Sequence, residues 1–142
     1  MTLRVFVDTD VILDLLLPRP DFLPEASRLF TLIQNGQIEA RTSPLVLSNL
    51  FYILTKKISA EEAIKALRKL RALLRVLPID ERMTDMALAS SFNDFEDAVQ
   101  YYAAVSAGLD ALVTRNKKDY GSAEIPILTA AECVASYHSK RD

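Results

Sequence analysis

Asp8 closes a short apolar run, Leu3 to Val7; Asp97 follows Asp94 by three residues at the head of an apolar-periodic segment; Asp119 follows the polar turn Thr114-Arg115-Asn116. Asn49 lies early in a segment opened by Ser43-Pro44, and Asp10, Asp94, Glu96 and Asn116 add further oxygen donors beside these positions. Carboxylates brought together repel and raise one another's pKa. A hard divalent cation, Mg2+ or Mn2+, reverses that cost because it takes oxygen ligands. Held there, it polarises a phosphodiester and lowers the pKa of a bound water. That chemistry needs neither imidazole nor thiol, and the chain has one of each: His138, close to the C-terminus, and Cys133.

Each acid also suits a plainer role. Asp8 and Asp10 fit the cap and first turn of a helix, whose positive end favours them, and Asp94, Glu96 and Asp97 fit another. Asp14, one turn after Asp10, is either an acid behind the site or a solvated one, and Thr114 to Asp119 also reads as an ordinary polar turn. The functional case rests on these residues meeting in space, which depends on the elements that carry them.

Leu3 to Val7 is apolar at nearly every position, as in a strand buried on both faces. Val11, Ile12, Leu15 and Leu16 recur at helical spacing, and the helix should close before Pro18-Arg19-Pro20. Pro24 to Asn35 reads as a second helix stopped by Gly36, and Ile38 to Thr42 as a strand. A third helix starts after Ser43, with Pro44 at its first position. Ser59-Ala60-Glu61-Glu62 is a capping box opening a helix that turns Ile64, Leu67, Leu70 and Leu74 inward. Val76-Leu77 reads as a small strand, Asp80 to Ser91 as a helix, and Asp94 caps another that runs to Ala107 before Gly108. Strands at Ala111 to Thr114 and Ile125 to Leu128 precede a last helix opened by the capping box Thr129-Ala130-Ala131-Glu132. Strands alternating with helices predict a parallel sheet covered on both faces, with residues 1–142 forming one domain. In such sheets ligands bind beyond the carboxyl ends of the strands, which is where Asp8 and Thr114 fall.

The chain has 142 residues, half of them hydrophobic and a quarter charged, enough for one packed core and too apolar for a disordered chain. A net charge of −2 argues neither for nor against nucleic acid; only its distribution can. A single cysteine excludes an internal disulfide. No apolar run approaches the roughly 20 residues of a membrane span, and the N-terminus lacks the pattern of a signal peptide. The expected compartment is the cytoplasm.

Val7-Asp8-Thr9-Asp10-Val11-Ile12-Leu13-Asp14 resembles the opening motif of PIN domains. Phe95-Glu96-Asp97-Ala98 resembles their third motif, and Leu112 to Tyr120 their closing one, a Thr-Arg-Asn turn followed by an acid and an aromatic. The order, spacing and chain length fit over nearly the whole sequence. The resemblance implies a three-layer α/β/α sandwich with a central parallel sheet. It also implies a Mg2+- or Mn2+-dependent endoribonuclease leaving a 5′-phosphate, of the kind that forms the toxin of a bacterial toxin–antitoxin pair (the VapC group). By the same likeness the metal ligands would be Asp8, Asp97 and Asp119, with Asn49 and Thr114 assisting and Asn116 as the alternative to Asp119. An antitoxin partner and a homodimer are implied as well. The sequence departs at the second motif, where the family carries a Glu and this chain has Asn49. One fewer charge should weaken metal affinity, and Glu96 or Asp94 are the acids placed to compensate.

RNA binding draws mainly on phosphate neutralisation, for which Arg115, Lys117 and Lys118 are the nearest cations. Lys65, Arg68, Lys69 and Arg75 form a stripe that also suits a solvated helix face, and Lys56-Lys57 suit a helix C-terminus. Tyr52, Tyr101 and Tyr102 suit either base stacking or a core or dimer interface. Two rivals stand beside the nuclease. One is a PIN domain without strong activity that binds RNA or protein. The other is a phosphatase of the haloacid dehalogenase type, suggested by Asp8-Thr9-Asp10, whose motif prefers Thr or Val where Ile12 stands.

Overall fold

The computed structural model describes residues 2–17, 19–121 and 123–141, the last without its side chain; Pro18 of the predicted helix stop lies outside them. The strands are β1 (Leu3–Val7), β2 (Ile38–Thr42), β3 (Arg75–Val76), β4 (Ala111–Val113) and β5 (Ile127–Leu128), in the order β3-β2-β1-β4-β5. All four pairings are parallel. The helices are α1 (Thr9–Leu16), α2 (Leu23–Gln34), α3 (Pro44–Lys57), α4 (Ala60–Leu73), α5 (Glu81–Leu88), α6 (Phe95–Ser106) and α7 (Ala130–Arg141). The architecture is the expected three-layer α/β/α sandwich.

β1 lies between β2 and β4, so the chain first builds outward on one side of β1 and then returns to build on the other. That reversal opens a crevice at the carboxyl ends of β1 and β4. The backbone closes it tightly: the Asp8 amide donates to the Val113 carbonyl at 2.9 Å, and the Thr114 amide to Leu128 at 2.8 Å. Val5, Phe6, Val7, Leu112 and Val113 are fully enclosed, which is why these strands read as unbroken apolar runs.

The helix starts follow their capping residues. The side chains of Asp8, Ser43, Ser59, Asp80 and Asp94 each accept a backbone amide of the turn they open. At α7 the capping box is reciprocal, Glu132 N to Thr129 Oγ1 at 3.1 Å and Thr129 N to Glu132 Oε1 at 2.9 Å. Gly36 and Gly108 sit at φ +75° and +67° behind α2 and α6, where a side chain would be strained.

Five expectations shift. Ile64 points outward, 39 % exposed, and Ala63 takes the buried position on α4. The helix expected over 80–91 is trimmed to Glu81–Leu88, and the last strand to its final two residues. The small strand expected at Val76-Leu77 forms one residue earlier, Arg75–Val76. The Asp119 turn winds into a 3-10 helix, Lys117–Tyr120.

α3 is anchored by Val46, Leu50 and Leu54, all fully enclosed. Leu50→Ala is expected to cost about 2–5 kcal/mol in urea denaturation, because a closed core refills the cavity only in part.

Candidate active site

Asp8 is both the last step of β1 and the cap of α1: its Oδ1 accepts the Thr9 amide at 2.7 Å. Its other oxygen accepts the Thr114 hydroxyl at 3.1 Å and the Tyr120 hydroxyl at 3.1 Å. Asp8 as a residue is 9 % exposed. Tyr120 also reaches Asp97 Oδ1 at 3.2 Å, so one phenol bridges acids that are far apart in sequence. Phe92 stands edge-on to the Tyr120 ring, with centroids 6.0 Å apart, and holds it in place.

Neither acid carries its charge easily. Burial, then the Asp10 charge, pushes Asp8 from 3.8 up to about 6. Burial, then the charges of Asp8 and Asp94, lifts Asp97 to about 7. Burial and the same two carboxylates push the Tyr120 phenol well above its ordinary value, so it stays protonated. A phenol has one proton and cannot donate to two carboxylates at once. The bridge is therefore complete only when Asp8 or Asp97 holds a proton and donates it to the phenol oxygen, as their raised pKa values allow. A cation beside the pair can take that proton's place.

Behind the pair lies a second set of acids with other duties. Asp10 Oδ2 accepts from Arg115 N at 3.1 Å and Asn116 Nδ2 at 3.3 Å, pinning the turn, and lies 3.2 Å from Thr114 Oγ1, whose single proton goes to it or to Asp8. Its Oδ1 is buried without a hydrogen-bond partner among the described residues. Asp14 is 2 % exposed and pairs with Arg115 at 2.9 Å and Arg19 at 3.9 Å. Arg115 also covers the Phe22 ring at 4.1 Å.

The cleft over the pair is open, about 310 Å3, and is lined by Asp8, Asn49, Glu96, Asp97, Asn116 and Asp119, with Asp10 and Tyr52 among its other walls. The structure thus brings the predicted acids to one cleft. It does not close them into a cage: no three acid, histidine or cysteine side chains among the described residues form a ready-made metal cluster. Asp8 and Asp97 are the close pair, and Asp119 faces them from the exposed 3-10 turn.

Other expectations are corrected. Arg115 is paired with Asp14 and lines the neighbouring pocket with Phe22. Lys117, also exposed, is paired with Glu132 at 2.9 Å, and Lys118 is exposed beside it. Thr114 is fully enclosed, with its hydroxyl 3.1 Å from Asp8 Oδ2. Asp94 is the cap of α6, accepting Asp97 N at 2.9 Å, and is not part of the cleft. Asp14 is not solvated. Tyr101 packs in the aromatic cluster, whereas Tyr52 stands 62 % exposed at the cleft. The sequence reading missed Tyr120 as a site residue; its place directly after Asp119 in the closing motif was the available signal.

The PIN domain family model matches residues 4–118. Ribonuclease VapC1 of Aquifex aeolicus (strain VF5) is 25 % identical over 134 residues, covering 91 % of this chain and 92 % of that protein. Among solved structures, DNA-bound VapBC from Salmonella typhimurium superposes with a TM-score of 0.69 at 19 % identity, over 91 % of this chain and 99 % of that one. PAE2754 from Pyrobaculum aerophilum gives 0.68 at 18 % identity, over 98 % and 99 %.

The raised pKa values carry a consequence for stability. At pH 5 an unfolded chain has mostly lost these protons, while folded Asp8 and Asp97 still hold them. Raising the pH strips the folded form, so without metal the stability falls between pH 5 and 8. For Asp8 the full penalty is roughly 3 kcal/mol, and somewhat under half of it develops above pH 5. Melting in chelator should give a higher Tm at pH 5 than at pH 8, with the gap narrowed in Asp8→Asn; an equal gap in that variant would contradict the assignment.

Proposed function

The chain belongs to the PIN-domain family, and we propose that it is a Mg2+- or Mn2+-dependent endoribonuclease acting as the toxin of a toxin–antitoxin pair. The observation that carries this is the Asp8–Tyr120–Asp97 bridge, two acids under one open cleft with no ion-pair partner among the described residues. The donor set fits a hard cation: the polar side chains lining the cleft offer oxygen or amide and no thiol or imidazole, and one buried Asp10 oxygen has no partner among the described residues. Mg2+ keeps several waters and takes one or two carboxylates directly. Asp8 and Asp97 would supply those, with Asp119 acting across the cleft. When bound, the ion neutralises charge developing on the scissile phosphate and makes water more acidic.

The protein's own groups set the geometry. Thr114 and Thr9 N fix the Asp8 carboxylate, and Tyr120 restrains Asp8 and Asp97 together. Asp10 holds the turn that carries Asn116 and leads to Asp119. Lys118 is left to meet a phosphate. Tyr52 offers an exposed ring at the rim, with Lys56 over it at 4.2 Å, suited to an unstacked base and its backbone.

The likeness to a ribonuclease named VapC1 supports RNA as substrate, and the likeness to VapBC complexes supports an antitoxin partner. An antitoxin segment bearing an Arg would complement the acidic cleft. Exposed Leu88 and Phe95 offer apolar area for a second copy in a homodimer. Such a toxin works in the cytoplasm; no helix among the described residues is long and apolar enough to cross a membrane. Asp10, engaged by the 114–116 turn, is badly placed to serve as the second acid of a phosphatase.

With Mn2+ present, the chain should cut structured RNA, and Asp8→Asn should reduce cutting to background. Equal cutting by wild type and Asp8→Asn would sink the proposal. Tyr52→Ala should raise KM more than it lowers kcat, on the scale of one lost stack, about 1–3 kcal/mol.

A further inference from the structure

Resting on the function proposed above, we propose that Glu96 is the fourth acid of the site and that Asn49 positions it. The carboxylate that the second motif lacks on α3 is delivered from α6. The Asn49 side-chain amide donates to Glu96 Oε1, and both residues line the cleft with Asp8, Asp97 and Asp119. The bond occupies one oxygen of Glu96 and leaves Oε2 as the atom available to a cation or its waters.

The two helices meet here for a reason separate from the cleft. Gln100, one turn after Glu96 on α6, is fully enclosed and accepts from Ser43 Oγ, the cap of α3, at 3.4 Å. The α6 face bearing Glu96 and Gln100 is therefore held toward α3 by a buried polar contact. A Glu at position 49 would set two carboxylates against each other at this junction. The Asn49 amide turns that repulsion into a hydrogen bond. The site keeps four acids, Asp8, Glu96, Asp97 and Asp119, with one moved to a different helix.

The test measures Mn2+ binding to the whole chain by titration with EPR detection, alongside the Mn2+-induced rise in Tm. Glu96→Gln keeps the shape and removes the charge; Mn2+ affinity should fall on the order of tenfold. The exchange Asn49→Glu with Glu96→Gln reverses the direction of the same hydrogen bond and should recover most of that loss. Asp8→Asn is the control for the site itself and should lose binding. If Glu96→Gln binds Mn2+ as wild type does while Asp8→Asn does not, Glu96 is no part of the site and this inference falls alone. A double variant as weak as Glu96→Gln would also overturn it. Full Mn2+ binding by Asp8→Asn would instead overturn the function on which it rests. Melting in chelator identifies any variant that fails to fold, and in that event the Mn2+-induced Tm rise of Glu96→Ala decides, with a wild-type rise overturning the inference.

Discussion

The structure places two carboxylates where neither can be charged at low cost, and joins them through a phenol with only one proton to give. Asp8 is fixed by the end of a buried strand and the start of a helix at once, so it cannot swing into solvent. Asp97 is held by the Asp94-capped first turn of α6. Tyr120 reaches both from the closing motif. Three distant stretches of chain therefore converge on one unresolved charge. Folding stability opposes that arrangement, which is the expected signature of a site shaped for a ligand that supplies the missing positive charge.

The acids of the opening motif divide by direction. Asp8 faces the cleft, Asp10 turns to the 114–116 loop, and Asp14 turns to Arg115 and Arg19 behind it. The buried Asp14–Arg115 pair and the Phe22 ring over the guanidinium lock the loop from the far side. Losing one partner of such a pair leaves an uncompensated buried charge, so these residues guard the geometry of the site without touching substrate. The acids lining the cleft are Asp8, Asp10, Glu96, Asp97 and Asp119, while Arg115 and Lys117 beside it are engaged in ion pairs.

Much of this was legible in the sequence because the signals were local. Strands buried on both faces leave unbroken apolar runs, and Ser43, Ser59, Asp94 and Thr129 announce their helices by cap chemistry. Co-location of Asp8, Asp97 and Asp119 followed from the rule for parallel sheets and from the family resemblance together. What stayed hidden depends on side-chain direction across the fold. Nothing local distinguishes an Arg115 pointing to the cleft from one turned toward Asp14, nor a core Tyr101 from an exposed Tyr52. The Tyr120 bridge and the Asn49–Glu96 bond join residues whose only relation is tertiary.

The central claim is that Asp8 and Asp97 share one cation in place of the proton they otherwise share through Tyr120. Anomalous diffraction from a crystal soaked in Mn2+ tests it most directly. A single strong peak bonded to an oxygen of each carboxylate, with the phenol donating to one of them and no longer within hydrogen-bond reach of the other, is the result predicted. No peak between the two, or a peak elsewhere with the phenol bridge unchanged, would contradict it.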